Sequence, residues 1–239
     1  MKHDLSTPGA LILVLCVLCI AVILYGLNKT LDKSGYMESK KQWVLIATAL
    51  CIFAWAGLLS LFAYNGFFTD FSKLPPRVVF ALLLPLPFVL FIAFSKTGTK
   101  LLRSVPPQWL VFMQSFRILV EVLLWMAFLA NKLPVQMTFE GRNFDVLSGI
   151  LAIPVGYLVL KKIHASKKLA IAYNVIGLLL LINILVVAVL SMPTSFRYFM
   201  NEPSNTLVAQ FPFILLPGIL VPIAYSFHIF SLRQLLLKK

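Results

Sequence analysis

Residues 10 to 27 read ALILVLCVLCIAVILYGL, eighteen positions without a charge, and runs of this kind return along the whole chain. Seven are found, near 9–27, 43–64, 78–95, 109–130, 144–160, 169–191 and 207–231. Each crossing of a bilayer takes about 20 apolar residues of helix, because only helices and closed barrels satisfy every backbone N–H and C=O where there is no water. The runs are continuous and do not alternate apolar with polar, so helices and not barrel strands are expected. The expected fold is all-α: a polytopic integral membrane protein of seven transmembrane helices, residues 1–239 forming one domain. Composition agrees, with 60% of residues hydrophobic and 12% charged against about 25% charged in soluble domains. Short connections favour antiparallel packing of consecutive helices.

The first run has one nearby lysine, Lys2, and no small-residue cleavage pattern, so it reads as a retained helix and not as a signal peptide. Cys16, Cys19 and Cys51 all fall in spans, where a thiol behaves as a small hydrophobe, and they suggest neither a disulfide framework nor a metal motif.

A net charge of +13 raises nucleic acid as a partner, and the placement of the charge argues against it. Fourteen Lys and Arg follow helices 1, 3, 5 and 7, and six lie on the opposite side. The positive-inside rule then puts the N-terminus outside and the C-terminus in the cytoplasm of a cytoplasmic (inner) membrane. Basic inner loops also suit anionic inner-leaflet lipids as partners.

Helix 4 contains the segment QSFRILVEVLLW, and there Gln114, Arg117, Glu121 and Trp125 share one face, an arc of about 80° at 100° per residue. A charge at a helix centre costs about 2.5–3.5 kcal/mol on the insertion scale, so this face turns away from lipid. Arg117 and Glu121 stand four apart and can pair with each other. They form either a buried clamp that fixes helix register or the lining of a ligand or ion pathway.

Helix 7 carries Pro212, Pro217, Gly218 and Pro222, and each proline removes a helical hydrogen bond. Broken helices near the midplane often build transporter sites. Tyr225 and His228 follow at i, i+3 near the expected inner end, where a histidine is commonly an interfacial hydrogen-bonding residue. Asn174 and Asn183 on helix 6 lie on opposite faces, so one of them is expected to bond a neighbouring helix.

The outer loop 140–145 sets Glu140 and Asp145 around Arg142, with Asn143 placed to cap helix 5. The last outer loop adds Arg197 and Glu202, and together these residues could read or gate a ligand. No metal and no cofactor is expected: haem held between helices needs two intramembrane histidines, a retinal protein needs a lysine in its last helix, and no His/Asp/Glu cluster has metal spacing.

The segments PVQMTFEGRNFDVLSG, NEPSNT and FPFILLPG resemble those of small bacterial multi-spanning proteins known only as hypothetical. That resemblance implies a bacterial cytoplasmic membrane and assigns no residue a role. From the residues, the leading expectation is a small-solute or ion/proton-coupled transporter acting on a small-molecule or ion ligand. The alternatives are a non-catalytic sensor or partner protein and, third, a lipid-modifying enzyme; a homo-oligomer is possible in each case.

Overall fold

The computed structural model describes residues 6–163 and 166–237; Lys2, Lys238 and Lys239, counted above among the loop and tail charges, lie outside them. Among the described residues the regular elements are all helical. They are α1 (Ser6–Lys33), α2 (Glu38–Tyr64), α3 (Val78–Leu83), α4 (Pro85–Phe94), α5 (Lys96–Ser104), α6 (Pro107–Phe112), α7 (Phe116–Leu129), α8 (Val146–Leu160), α9 (Ser166–Leu190) and α10 (Val221–Leu236). A 3₁₀ turn, Met113–Ser115, joins α6 to α7, and a π-helical stretch, Leu216–Leu220, leads into α10.

Five helices are long and apolar enough to cross a membrane: Thr7–Lys33, Glu38–Tyr64, Pro107–Leu129, Ser166–Leu190 and Leu216–Leu236. The segment from α3 to α5 makes a sixth if a bend of 76° is counted within one span. The expected span at 144–160 forms only α8, with 15 residues; that is about 22 Å of helix against roughly 30 Å of hydrocarbon. Length and composition therefore support five or six spans.

The bend has a local cause. Ser95 is extended, and its hydroxyl accepts the Gly98 N–H at 2.9 Å, so α4 stops at Phe94 and α5 starts afresh. A Cβ on Gly98 would collide with the Ile92 carbonyl, so this turn needs glycine.

Solvent polarity is inverted across the bundle. Large apolar side chains cover the outside, including Val14 and Val17 on α1, Leu50 and Phe53 on α2, Phe88 and Phe91 on α4, and Ile176 and Leu179 on α9. Gln114, Arg117, Glu121, Asn174 and His228 are buried inside. Such an apolar exterior on helices of this length belongs in lipid, and the chain is a multi-pass membrane protein.

The centre is the Pro-rich segment and α10, which packs against α4, α5, α6 and α9. Pro222 has no N–H to offer the Gly218 carbonyl one turn back, and Trp55 Nε1 on α2 donates to that carbonyl instead at 2.9 Å. The break in this helix is thus filled by a neighbouring side chain.

Candidate functional site

The site begins with the small residues of α8. Ser148, Gly149, Ala152 and Gly156 are buried on one side of it. A Cβ at Gly149 would lie 2.9 Å from the Ile118 backbone nitrogen, and one at Gly156 would lie 2.7 Å from the Phe112 ring. Small residues let helix backbones approach closely, and this approach sets Asp145, just before α8, against Arg117 of α7.

Arg117 Nε donates to Asp145 Oδ2 at 2.7 Å, and Nη2 donates to Oδ1 in the second arm of a two-pronged pair. The remaining donor, Nη1, meets His228 Nε2 at 2.7 Å. A guanidinium only donates, so His228 Nε2 accepts and the ring proton sits on Nδ1. That Nδ1–H donates to Asn174 Oδ1 at 2.9 Å. Asn174 Nδ2 in turn donates to Ser231 Oγ at 2.9 Å and to the Ala170 carbonyl at 2.7 Å. One line of hydrogen bonds thus runs from Asp145 through Arg117, His228 and Asn174 to Ser231.

Arg117 therefore does not pair with Glu121, contrary to the i, i+4 expectation. Glu121 points the other way, towards the outer loop, where Oε1 accepts the Phe139 N–H at 2.6 Å and Oε2 accepts from Asn143 Nδ2. Asn143 also donates to the Met137 carbonyl, and its Oδ1 accepts the Asp145 N–H, both at 3.2 Å. The loop is consequently docked on a carboxylate whose bonding partners, among the described residues, are both neutral. Arg117 and Glu121 are each 3% exposed.

Arg117, Glu121, Asn143 and Asp145 form the polar end of a cavity of about 80 Å³. Its other walls are apolar, drawn from α3, α9 and the π-helical stretch, where Pro217 lines it. Gly218 does not line it: a Cβ there would run into Leu59 of α2.

The remaining expected residues scatter. Gln114 is fully buried and donates to the Ala224 carbonyl at 3.0 Å, tying α7's approach to α10. Tyr225 donates to the Leu82 carbonyl at 3.3 Å, away from the network. His228 is fully buried, and because α10 starts at Val221 and runs on to Leu236 it stands at mid-helix. Asp145 stands at the N-cap of α8 without a capping bond, since its carboxylate is spent on Arg117. Glu140 accepts from Trp125 Nε1 at 2.7 Å, and Arg142 lies over the Phe199 ring at 5.2 Å.

Arg197 and Glu202 pair with each other at 2.9 Å on the surface. The Arg197 hydrogen bond holds the Glu202 carboxyl below the usual glutamate range, helped by the Ser204 N–H. The five outer-loop residues expected to act together thus take different partners, with Phe199 touched by both Arg142 and Arg197. Among the described residues, no three His, Cys, Asp or Glu side chains stand close enough to hold a metal ion.

Asn143, Asn174, Gly177 and Ser231 complete the site and were not singled out for it from sequence. The signal open to a reader was paired spacing: Asn174 and Gly177 on α9, and His228 and Ser231 on α10, each stand at i, i+3. Gly177 makes room for the imidazole, since its Cβ would fall 2.6 Å from His228 Nε2.

A family model described as a domain of unknown function (DUF8737) matches residues 75–236. That stretch takes in α3 to α10 and every member of the network. Comparison with curated proteins and with solved structures finds no match. The chain belongs to the DUF8737 family.

Proposed function

We propose that this member of the DUF8737 family is a proton- or cation-coupled carrier of a small solute, with Glu121 as the coupling carboxylate. It sits in a bacterial cytoplasmic membrane with the N-terminus outside and the C-terminus in the cytoplasm, and α8 serves as a short seventh crossing. The basic loops at one end support that orientation.

One observation carries the reading. Each guanidinium nitrogen of Arg117 bonds Asp145 or His228, which leaves Glu121, among the described residues, without a cationic partner at the edge of a cavity. An ionisable group inside a membrane is costly unless paired, and such groups mark ion and proton paths. The loop contacts suggest how occupancy couples to opening. As a carboxylate, Glu121 accepts from the Phe139 and Asn143 donors together, one on each oxygen. A proton or cation on either oxygen weakens its acceptance from the loop donors, and in this reading that loosens the loop over the cavity. The charged or titratable groups facing this event are Arg117 on the same helix, Asp145 before α8, Glu140 in the loop and, beyond Arg117, His228 on α10.

Proteoliposomes holding a pH-sensitive dye and driven by a potassium diffusion potential test the reading. Wild-type protein is expected to pass protons, and Glu121→Gln to pass none at unchanged helical content. Equal flux from the two proteins sinks it. The second reading is a sensor or partner protein with a closed core, which the three-way internal bonding of Arg117 favours. A wild type without flux under any imposed proton or sodium gradient selects that reading.

A further inference from the structure

At the basic end of the bundle, away from Glu121, lies a second and larger cavity of about 190 Å³. Its walls are almost wholly apolar, with Val22, Ile23 and Leu27 from α1, Leu101 from α5, and Phe227 and Phe230 from α10. Helix α5 roofs it and is fixed at two places. Ser34 donates to Ser104 at 2.9 Å, and Gln234 of α10 donates to the Leu102 and Val105 carbonyls, the latter at 2.7 Å. The 76° bend before α5 lays a short amphipathic helix across the bundle, with Leu101 and Leu102 turned into the cavity and Lys96, Lys100 and Arg103 on the same helix.

The rim has the character of a membrane interface. Tyr25, mostly exposed, stacks on Trp109 with ring centres 6.4 Å apart, and Lys29 lies over Tyr25 at 5.8 Å. Aromatic rings of this kind sit at headgroup level. Lys100 lies over Tyr36 at 4.7 Å, and Arg233 over Phe94 at 5.1 Å. The nearby acid, Asp32, is taken by Lys41 at 2.6 Å. Lys29 stands next to the wall residue Thr30, Lys100 next to Leu101, and Arg233 three residues beyond Phe230; these cations lie over aromatic faces and, among the described residues, bond no carboxylate.

We propose that this cavity holds one acyl chain of an anionic phospholipid, whose phosphate sits among Lys29, Lys100 and Arg233. An apolar cavity bordering the bilayer is filled by the apolar chains that surround it, and the cations at its rim select the headgroup. Anionic headgroups gain about fivefold in occupancy for each Lys or Arg close to the surface. The site stands apart from the Glu121 cavity and does not depend on transport.

The experiment uses the full-length protein in nanodiscs of equal phosphatidylglycerol and phosphatidylcholine, released into detergent, with retained lipid counted by native mass spectrometry. One phosphatidylglycerol is expected to remain on the wild type in clear excess over phosphatidylcholine. Lys29→Gln with Lys100→Gln is expected to cut that preference by about 25-fold, two increments of the same size. Gly26→Leu, which places a side chain in the cavity with its Cβ 3.7 Å from the Trp109 ring, is expected to lose retained lipid of both kinds. Leu101→Trp serves the same purpose from the opposite wall if the glycine variant does not fold. Equal retention of the two lipids by the wild type overturns the proposal, as does retention unchanged by filling the cavity. Lys161→Gln with Lys162→Gln is the control: an equal loss of preference there reduces the effect to general surface charge and also overturns it.

Discussion

Arg117 and Arg197 each bind one carboxylate, and the two pairs live in different solvents. The Arg117–Asp145 side chains are 3% and 14% exposed, the Arg197–Glu202 side chains 13% and 71%. The inner pair is two-pronged and continues through His228 to Asn174, whereas the outer pair joins residues five apart in one loop. Water can replace either partner of the outer pair at little cost. Inside the bundle no such replacement exists, and the energy lies in what is left stranded when one member is removed. The same chemistry therefore organises a fold in one region and trims a loop in the other.

The largest test of that difference is Arg117→Ala, which leaves Asp145 as a lone buried carboxylate and His228 without its donor. We expect a loss of about 3–5 kcal/mol, measured by denaturant titration in detergent with circular dichroism. The double replacement Arg117→Met with Asp145→Leu is expected to cost clearly less than Arg117→Ala alone, because no uncompensated charge remains. If the double variant were the less stable of the two, stranded charge would not explain the inner pair.

Gly177→Ala should come next, at about 1–3 kcal/mol, the usual cost of forcing a methyl into a packed interior. The methyl would enter the space of the His228 ring and push it off Arg117. A crystal or cryo-electron structure of the variant in which the imidazole keeps both of its bonds would show that Gly177 does not set the position of the His228 ring.

Five or six of the seven expected spans were legible because hydrocarbon imposes length and composition on every crossing, and that demand can be read residue by residue. Arg117 and Glu121 were legible as unusual residues for the same reason, whereas Asp145 was read as part of an outer loop and His228 as a residue near a helix end. The partners they take were not legible. Spacing along one helix pairs Arg117 with Glu121, but the actual partner is set by how closely α8 approaches, and that is controlled by Gly149 and Gly156, two residues with no chemistry of their own. His228 was expected near a helix end because the span was drawn from 207 to 231; the regular helix begins only at Val221, after a 3₁₀ turn and a π-helical stretch, and runs on to Leu236. Asn143 looked like a helix cap and is instead a ligand of Glu121, a choice made by tertiary contact.

Glu202→Gln is the smallest change and completes the comparison. Its carboxyl lies below the ordinary glutamate range because Arg197 and the Ser204 N–H both bond its charged form. A carboxyl with a lower pKa in the folded state than in the unfolded one contributes stability above its ordinary value, and that contribution fades as pH falls through the folded value. The wild type and Glu202→Gln should therefore differ only slightly at neutral pH and converge in acid, below the usual glutamate range. With the side chain 71% exposed, solvent and salt screen the pair, so the small neutral-pH gap should close further at high ionic strength. Denaturant titrations of both proteins at several pH values read this directly. A gap that persisted in acid would locate the effect in the loop's backbone and not in the ion pair, and the contrast with Arg117 would then rest on burial of the chain and not of the charge.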